Sequence, residues 1–220
     1  MAITPDHFLT RRGLLVAGLV AAATPCLARP EQGRAGPRVV TILGDSITAG
    51  LGLPAAQALP ARLEAALAKA GVAARVRGAG VSGDTIAAGL ARVDFSVQAD
   101  TDLCIVALGG NDLLQGLDPK GARADLARIV KRLKSRRIGV LIAGLQAPAA
   151  IGRAYARDFD AVFPTVARAE RVPLYPNLLD GVGQITTLNQ RDGIHPNAQG
   201  VQIIAARLAP AVARALKTSP

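Results

Sequence analysis

The chain has 220 residues, enough for one α/β domain with a sizeable core and short for two. Half of the residues are apolar and only 3% are aromatic, so the core is built from Ala, Val, Leu and Ile; two cysteines exclude a disulfide framework. The formal charge of +10 rests on dispersed residues, mostly Arg, with no basic run interleaved with aromatics, so it reads as composition bias and excludes a nucleic-acid surface.

Residues 1–28 are set apart from the rest. Thr10-Arg11-Arg12-Gly13-Leu14-Leu15 puts an arginine pair before an apolar run from Leu14 to Ala23, and Cys26-Leu27-Ala28 supplies a signal-peptidase site. This reads as a secretory signal of the twin-arginine type, followed by a domain over 29–220 in a periplasmic or secreted mature chain. The apolar run is too short for a good transmembrane span, so no stable membrane insertion of the mature chain is expected. An uncleaved anchor is the alternative, and Pro25 disfavours lipoprotein processing at Cys26.

From Arg38 onward, short apolar runs alternate with helical periodicity. Arg38 to Leu43 reads as a first strand. Leu59 to Ala70 carries Leu59, Leu63, Ala66 and Leu67 at helical spacing and ends at Gly71. Val72 to Arg77 reads as a second strand. A helix follows from Asp84, with Ile86, Leu90 and Val93 on one face. Asp102 to Leu108 is a buried third strand, in which Cys104 is a small core residue. Pro119 to Arg137 is a charged amphipathic helix, and Ile138 to Leu145 a fourth strand. A helix over 151–171 is expected to be kinked or interrupted by Pro164. Val172 to Tyr175 is a fifth strand, and Asn197 to Leu216 the closing helix. The alternation predicts a parallel five-stranded sheet in a three-layer, flavodoxin-like α/β/α sandwich, with ligands at the carboxyl ends of the strands.

Four motifs fall at that edge. Gly44-Asp45-Ser46-Ile47-Thr48 follows strand one, so the Ser46 hydroxyl stands on a tight strand-to-helix turn. Gly80-Val81-Ser82-Gly83-Asp84-Thr85 follows strand two, and Gly83 can present its N–H to a ligand. Gly109-Gly110-Asn111-Asp112 follows strand three and offers a side-chain amide to an oxyanion. Asp192-Gly193-Ile194-His195-Pro196 precedes the last helix; its spacing lets the Asp carboxylate meet Nδ1 of its own His and leaves Nε2 free. The other histidine, His7, falls in the signal segment, so the mature chain has one candidate base. Each motif alone also reads as an ordinary turn or helix cap.

Taken together, in this order, the motifs resemble the SGNH hydrolase (GDSL-type esterase) family over nearly all of 38–216. Ser82-Gly83-Asp84-Thr85, Gly89-Leu90-Ala91-Arg92 and Val172-Pro173-Leu174 resemble its bacterial branch of acyl-CoA thioesterases, lysophospholipases and arylesterases. The resemblance implies Ser46 as nucleophile, His195 as general base and Asp192 as the third member of a triad. It also implies an oxyanion hole from the Ser46 and Gly83 N–H groups and the Asn111 amide. The implied substrate is a small-molecule ester or thioester, lipids included, cleaved through an acyl-enzyme with no cofactor or metal. Leu113, Leu114 and Ile151 are expected to form an apolar wall that binds the acyl chain or aryl group. Deacetylation of a polysaccharide or cell-wall sugar is the rival on the same fold, and a non-catalytic flavodoxin-like binding protein the more distant one.

Overall fold

The computed structural model describes residues 36–219; the expected signal segment and its expected cleavage site lie outside them. Five strands form one parallel sheet: β1 (Arg38–Gly44), β2 (Ala74–Gly80), β3 (Leu103–Ala107), β4 (Gly139–Ala143) and β5 (Leu174–Tyr175), in the order β2-β1-β3-β4-β5. The helices are α1 (Ser46–Ala49), α2 (Leu59–Lys69), α3 (Ile86–Ser96), α4 (Gly110–Leu114), α5 (Pro119–Ser135), α6 (Arg153–Asp160), α7 (Val162–Glu170) and α8 (Ala198–Thr218). The expected three-layer architecture is present.

The strand order decides which face each helix covers. From β1 the chain crosses to β2 on one side, then returns over β1 to β3 and continues outward to β4 and β5. Right-handed crossovers therefore put α2 on one face and α3, α5 and α7 on the other. The packing agrees: α2 lies on α8, α3 on α5, and α5 on α7. The segments leaving β1 and β3, neighbours in the sheet, run to opposite faces. They leave a crevice at their carboxyl ends, which is where an open α/β sheet binds ligands.

The central strand β3 is buried along its whole length, as expected of a parallel strand covered on both faces. Cys104 is fully buried, and desolvation pushes its thiol up to about 12. Leu59, Leu63 and Leu67 on α2, and Leu126, Ile129, Val130 and Leu133 on α5, bury helical stripes against the sheet. Caps lie where the side chains dictate. Thr85 Oγ1 accepts the Ala88 N–H, Asp118 accepts that of Lys120, and Asn197 accepts those of Gln199 and Gly200.

Two strand starts and one helix differ from expectation. Val72 belongs to the end of α2: with Gly71 left-handed, its N–H donates to the Leu67 carbonyl, so β2 begins only at Ala74. The same closure recurs after α7, where Arg171 is left-handed and Val172 donates to Ala167, which confines β5 to two residues. The interruption near Pro164 falls at Ala161, between α6 and α7. Proline lacks the donor for the carbonyl four residues back and its ring crowds that carbonyl, so the break sits one turn upstream of Pro164 itself. Among the described residues no helix is long and apolar enough to cross a membrane.

Candidate active site

Ser46 opens α1 directly at the end of β1. The turn is held by Asp45, whose Oδ1 accepts the Ile47 N–H at 3.0 Å. This places a largely buried Ser46 hydroxyl 2.8 Å from His195 Nε2. His195 comes from the last loop, across 149 residues of chain. Its Nδ1 lies 2.6 Å from Asp192 Oδ2, while Asp192 Oδ1 accepts the backbone N–H groups of Ile194 and His195 at 2.9 and 3.0 Å. The backbone N–H of His195, then its ring, then the Ile194 N–H hold the Asp192 carboxyl down at about 2. A carboxylate fixed on Nδ1 selects the tautomer whose Nε2 accepts from the serine hydroxyl.

The His195 loop is tied down by its own backbone and by Gln190. The Gln190 N–H donates to the His195 carbonyl at 2.7 Å, and Asn189 pairs with Pro196. Gln190 Nε2 donates to the Pro196 carbonyl and, at 2.8 Å, to that of Leu51 just beyond α1, so one amide binds the histidine loop to the serine turn. Nothing local in the sequence marks Gln190 for this.

Gly83 has φ +88°, a conformation that favours glycine, on the exposed turn after β2. Among the described residues, neither its N–H nor that of Ser46 donates to a protein acceptor. Asn111 lies on α4, entered through Gly109. One hydrogen of its Nδ2 goes to the Asp84 carbonyl at 2.9 Å, which leaves the second for a ligand. The neighbouring Asp112 is buried; its Oδ2 accepts the Ile86 N–H at 2.9 Å, so α4 is clamped to the start of α3, and burial raises its carboxyl. Tyr155 donates from its hydroxyl to the Leu117 carbonyl at 2.8 Å and holds the end of the same segment.

A cleft of about 410 Å³ runs alongside, lined among others by Ile47, Gly110, Leu113, Leu114, Leu145 and Ile194. Ile47 and Ile194 are the chain neighbours of Ser46 and His195, so the cleft adjoins that hydrogen-bonded pair. Leu114 is 60% exposed and Leu113 is half-buried against the core. Ile151, expected in the same wall, is exposed and is not among the lining residues. It sits past the Gln146-Ala147-Pro148 segment, which takes the place on the rim that Ile151 was expected to fill. A larger surface groove of about 700 Å³ lies elsewhere, between α2 and the outer side of β2. Its carboxylate, Glu64, is engaged at the Val76 N–H, and it holds no convergent polar set.

Residues 42–203 match the GDSL-like lipase/acylhydrolase family. The chain is 38% identical over 186 residues to Esterase TesA of Pseudomonas aeruginosa, covering 84% of this chain and 90% of that protein. It is 36% identical over 165 residues to Thioesterase 1/protease 1/lysophospholipase L1 of Escherichia coli K12, covering 74% and 78%. The crystal structure of AlinE4, an SGNH-hydrolase family esterase, superposes with a TM-score of 0.68 at 44% identity, over 82% of this chain and 97% of that one. With the motifs, the sheet order and these likenesses together, the chain belongs to the GDSL-like lipase/acylhydrolase family and is a serine hydrolase acting on ester bonds.

Proposed function

We propose that Ser46, His195 and Asp192 are the catalytic triad of a carboxylic ester and thioester hydrolase. The reading rests on one observation above all: the unbroken line from Asp192 Oδ2 to His195 Nδ1 and from Nε2 to Ser46 Oγ, at 2.6 and 2.8 Å. His195 Nε2 takes the hydroxyl proton as Ser46 Oγ bonds to the carbonyl carbon. Asp192, ionised because its carboxyl is held near 2, stabilises the imidazolium that forms. The oxyanion is received by the N–H groups of Ser46 and Gly83 and the free hydrogen of Asn111 Nδ2. Collapse expels the alcohol or thiol, which takes the proton from Nε2. Water then repeats the sequence on the acyl-enzyme and releases the acid.

The acyl chain or aryl group lies in the cleft beside Leu113, Leu114 and Ile194, which suits aryl esters, acyl thioesters and lysophospholipids. Each methylene buried there is worth about 0.8 kcal/mol at best. The mature enzyme is exported by the twin-arginine route and begins near Arg29, a reading supported by the Arg11-Arg12 pair and the apolar run behind it.

The test is hydrolysis of p-nitrophenyl esters of graded acyl length by the purified protein, its Ser46→Ala variant and its Leu114→Ala variant. Ser46→Ala is expected to abolish turnover, and Leu114→Ala to cost more as the chain lengthens. Activity surviving in Ser46→Ala overturns the triad; a loss from Leu114→Ala that is equal for all esters removes the acyl cleft from the proposal.

A further inference from the structure

Arg92 lies on α3, outside the triad and outside the lining of the acyl cleft. Its side chain is 19% exposed, and all three nitrogens of its guanidinium donate hydrogen bonds. Nε donates to Asp84 Oδ2 at 2.6 Å. One terminal nitrogen donates to the Ala79 carbonyl at 2.9 Å and to Ser96 Oγ at 3.0 Å. The other donates to the Gly44 carbonyl at 2.8 Å.

Those partners are distributed in a particular way. Gly44 ends β1 and is joined through Asp45 to Ser46. Ala79 is the penultimate residue of β2, just before the turn that carries Gly83. Asp84 follows Gly83 directly, and its backbone carbonyl is the acceptor that orients the Asn111 amide. A single planar cation thus touches the serine turn, brackets the Gly83 turn from both ends, and reaches Asn111 through Asp84. These are three loops from three different strands, and beyond the ends of β1, β2 and β3 one backbone hydrogen bond among the described residues joins them, from the Val81 N–H to the same Gly44 carbonyl at 3.1 Å.

We propose that Arg92 is a positioning residue that sets the mutual register of the three oxyanion donors: the Ser46 N–H, the Gly83 N–H and the Asn111 amide. The inference rests on the oxyanion assignment made above. Guanidinium is suited to the task because its five donors are fixed in one plane, so carbonyls on two strand ends and a carboxylate on a third segment are held at set angles. An ammonium in its place keeps the charge against Asp84 and loses the fixed fork.

The test pairs Arg92→Lys with Asp84→Asn; the latter loosens the same clamp from the other side and leaves the Asp84 carbonyl in place. Since a displacement of about 1 Å at a reacting centre costs roughly 10²-fold, both variants are expected to lower kcat by about 10- to 100-fold with KM little changed. Affinity for a boronic acid, which forms a tetrahedral adduct on the serine, falls in parallel with kcat. The acid limb of the pH profile stays where it is, because Arg92 touches neither His195 nor Asp192. Combined with Asn111→Ala, Arg92→Lys costs less than the product of the two single losses, because one of the donors it positions is already gone. Full kcat in Arg92→Lys and Asp84→Asn, retained boronate affinity alongside reduced kcat, or losses that multiply with Asn111→Ala would each overturn the proposal. Ser46→Ala, run in the same series, separates the two readings: its inactivity together with full kcat in Arg92→Lys sinks the Arg92 role alone, and its activity sinks both.

Discussion

Asp45 sits beside Ser46 in an environment that disfavours its charge. It is 4% exposed, and desolvation drives its carboxyl up from 3.8 to about 6, against the hydrogen bond from Ile47 and the neighbouring His195. A raised carboxyl binds its proton more tightly in the folded chain than in the unfolded one. Stability from the protonated form is therefore whole below about 3.8, is lost as pH rises toward about 6, and is absent above it. Asp45→Asn keeps an oxygen for the Ile47 N–H and removes the titration. Relative to the parent, its melting temperature is expected to be higher at pH 8 than at pH 4. Thermal denaturation at the two values checks this, and a difference that does not change with pH would refute it. Asp192 shows the opposite behaviour: with its carboxyl lowered from 3.8 to about 2, the stability contributed by its ionised form is whole above about 3.8, is lost as pH falls toward about 2, and is absent below it.

Between elements, the serine turn is pressed onto β2 at a point where no side chain fits. A Cβ on Gly80 would stand 2.6 Å from the Asp45 carbonyl oxygen and against the backbone nitrogen of Ala49. Both are backbone atoms of the turn that carries Ser46, so neither can swing aside. Gly80→Ala is expected to cost about 1–3 kcal/mol by overpacking and to lower activity by displacing α1. Gly121 on α5 is the contrast: open space surrounds it, and Gly121→Ala is expected to stabilise by about 0.4–1 kcal/mol. Denaturant unfolding of the two variants measures both; equal effects would show that the contact at Gly80 is not tight. The same logic of element boundaries explains why β2 starts late and β5 is short. A helix ending in a left-handed residue takes the next N–H back to its own last turn, and that residue is then unavailable to the sheet.

At the scale of the molecule, the sheet order creates the site. Because the chain leaves β1 toward one face and β3 toward the other, the loops that carry Ser46 and Asn111 diverge over a crevice between adjacent strands. The last loop then brings His195 into that crevice from beyond β5. All five strands and the helices that cover them lie within 36–219. A chain beginning at Arg29 is therefore expected to fold with an unchanged melting temperature and to keep full esterase activity. Purification of that shorter chain and side-by-side melting and kinetics check it; a lower melting temperature would mean that residues before Arg29 contribute to the fold.

Much of this was legible in the residues. Strand and helix order followed from apolar periodicity, because a doubly covered parallel strand and an amphipathic helix leave different spacings in the chain. The Asp192–His195 pair was legible because its two members are three residues apart and the loop closes on itself. Other features were not local, and only tertiary structure decided them. Gln190 reaches Leu51 across 139 residues, and Arg92 reaches Gly44 across 48, at partners that are backbone carbonyls and so carry no residue type to recognise. Asp84 and Arg92 stand eight apart on the chain, beyond the one-turn spacing at which helical ion pairs announce themselves. The raised carboxyl of Asp45 is a matter of burial, which the packing of α1 on β2 creates. Ile151 was placed on the acyl wall by its position after β4, but the path of a loop is set by what it packs against, and here Gln146, Ala147 and Pro148 occupy the rim instead. Local pattern marked the candidate residues at the carboxyl edge of the sheet; the packing of distant segments decided how they are held.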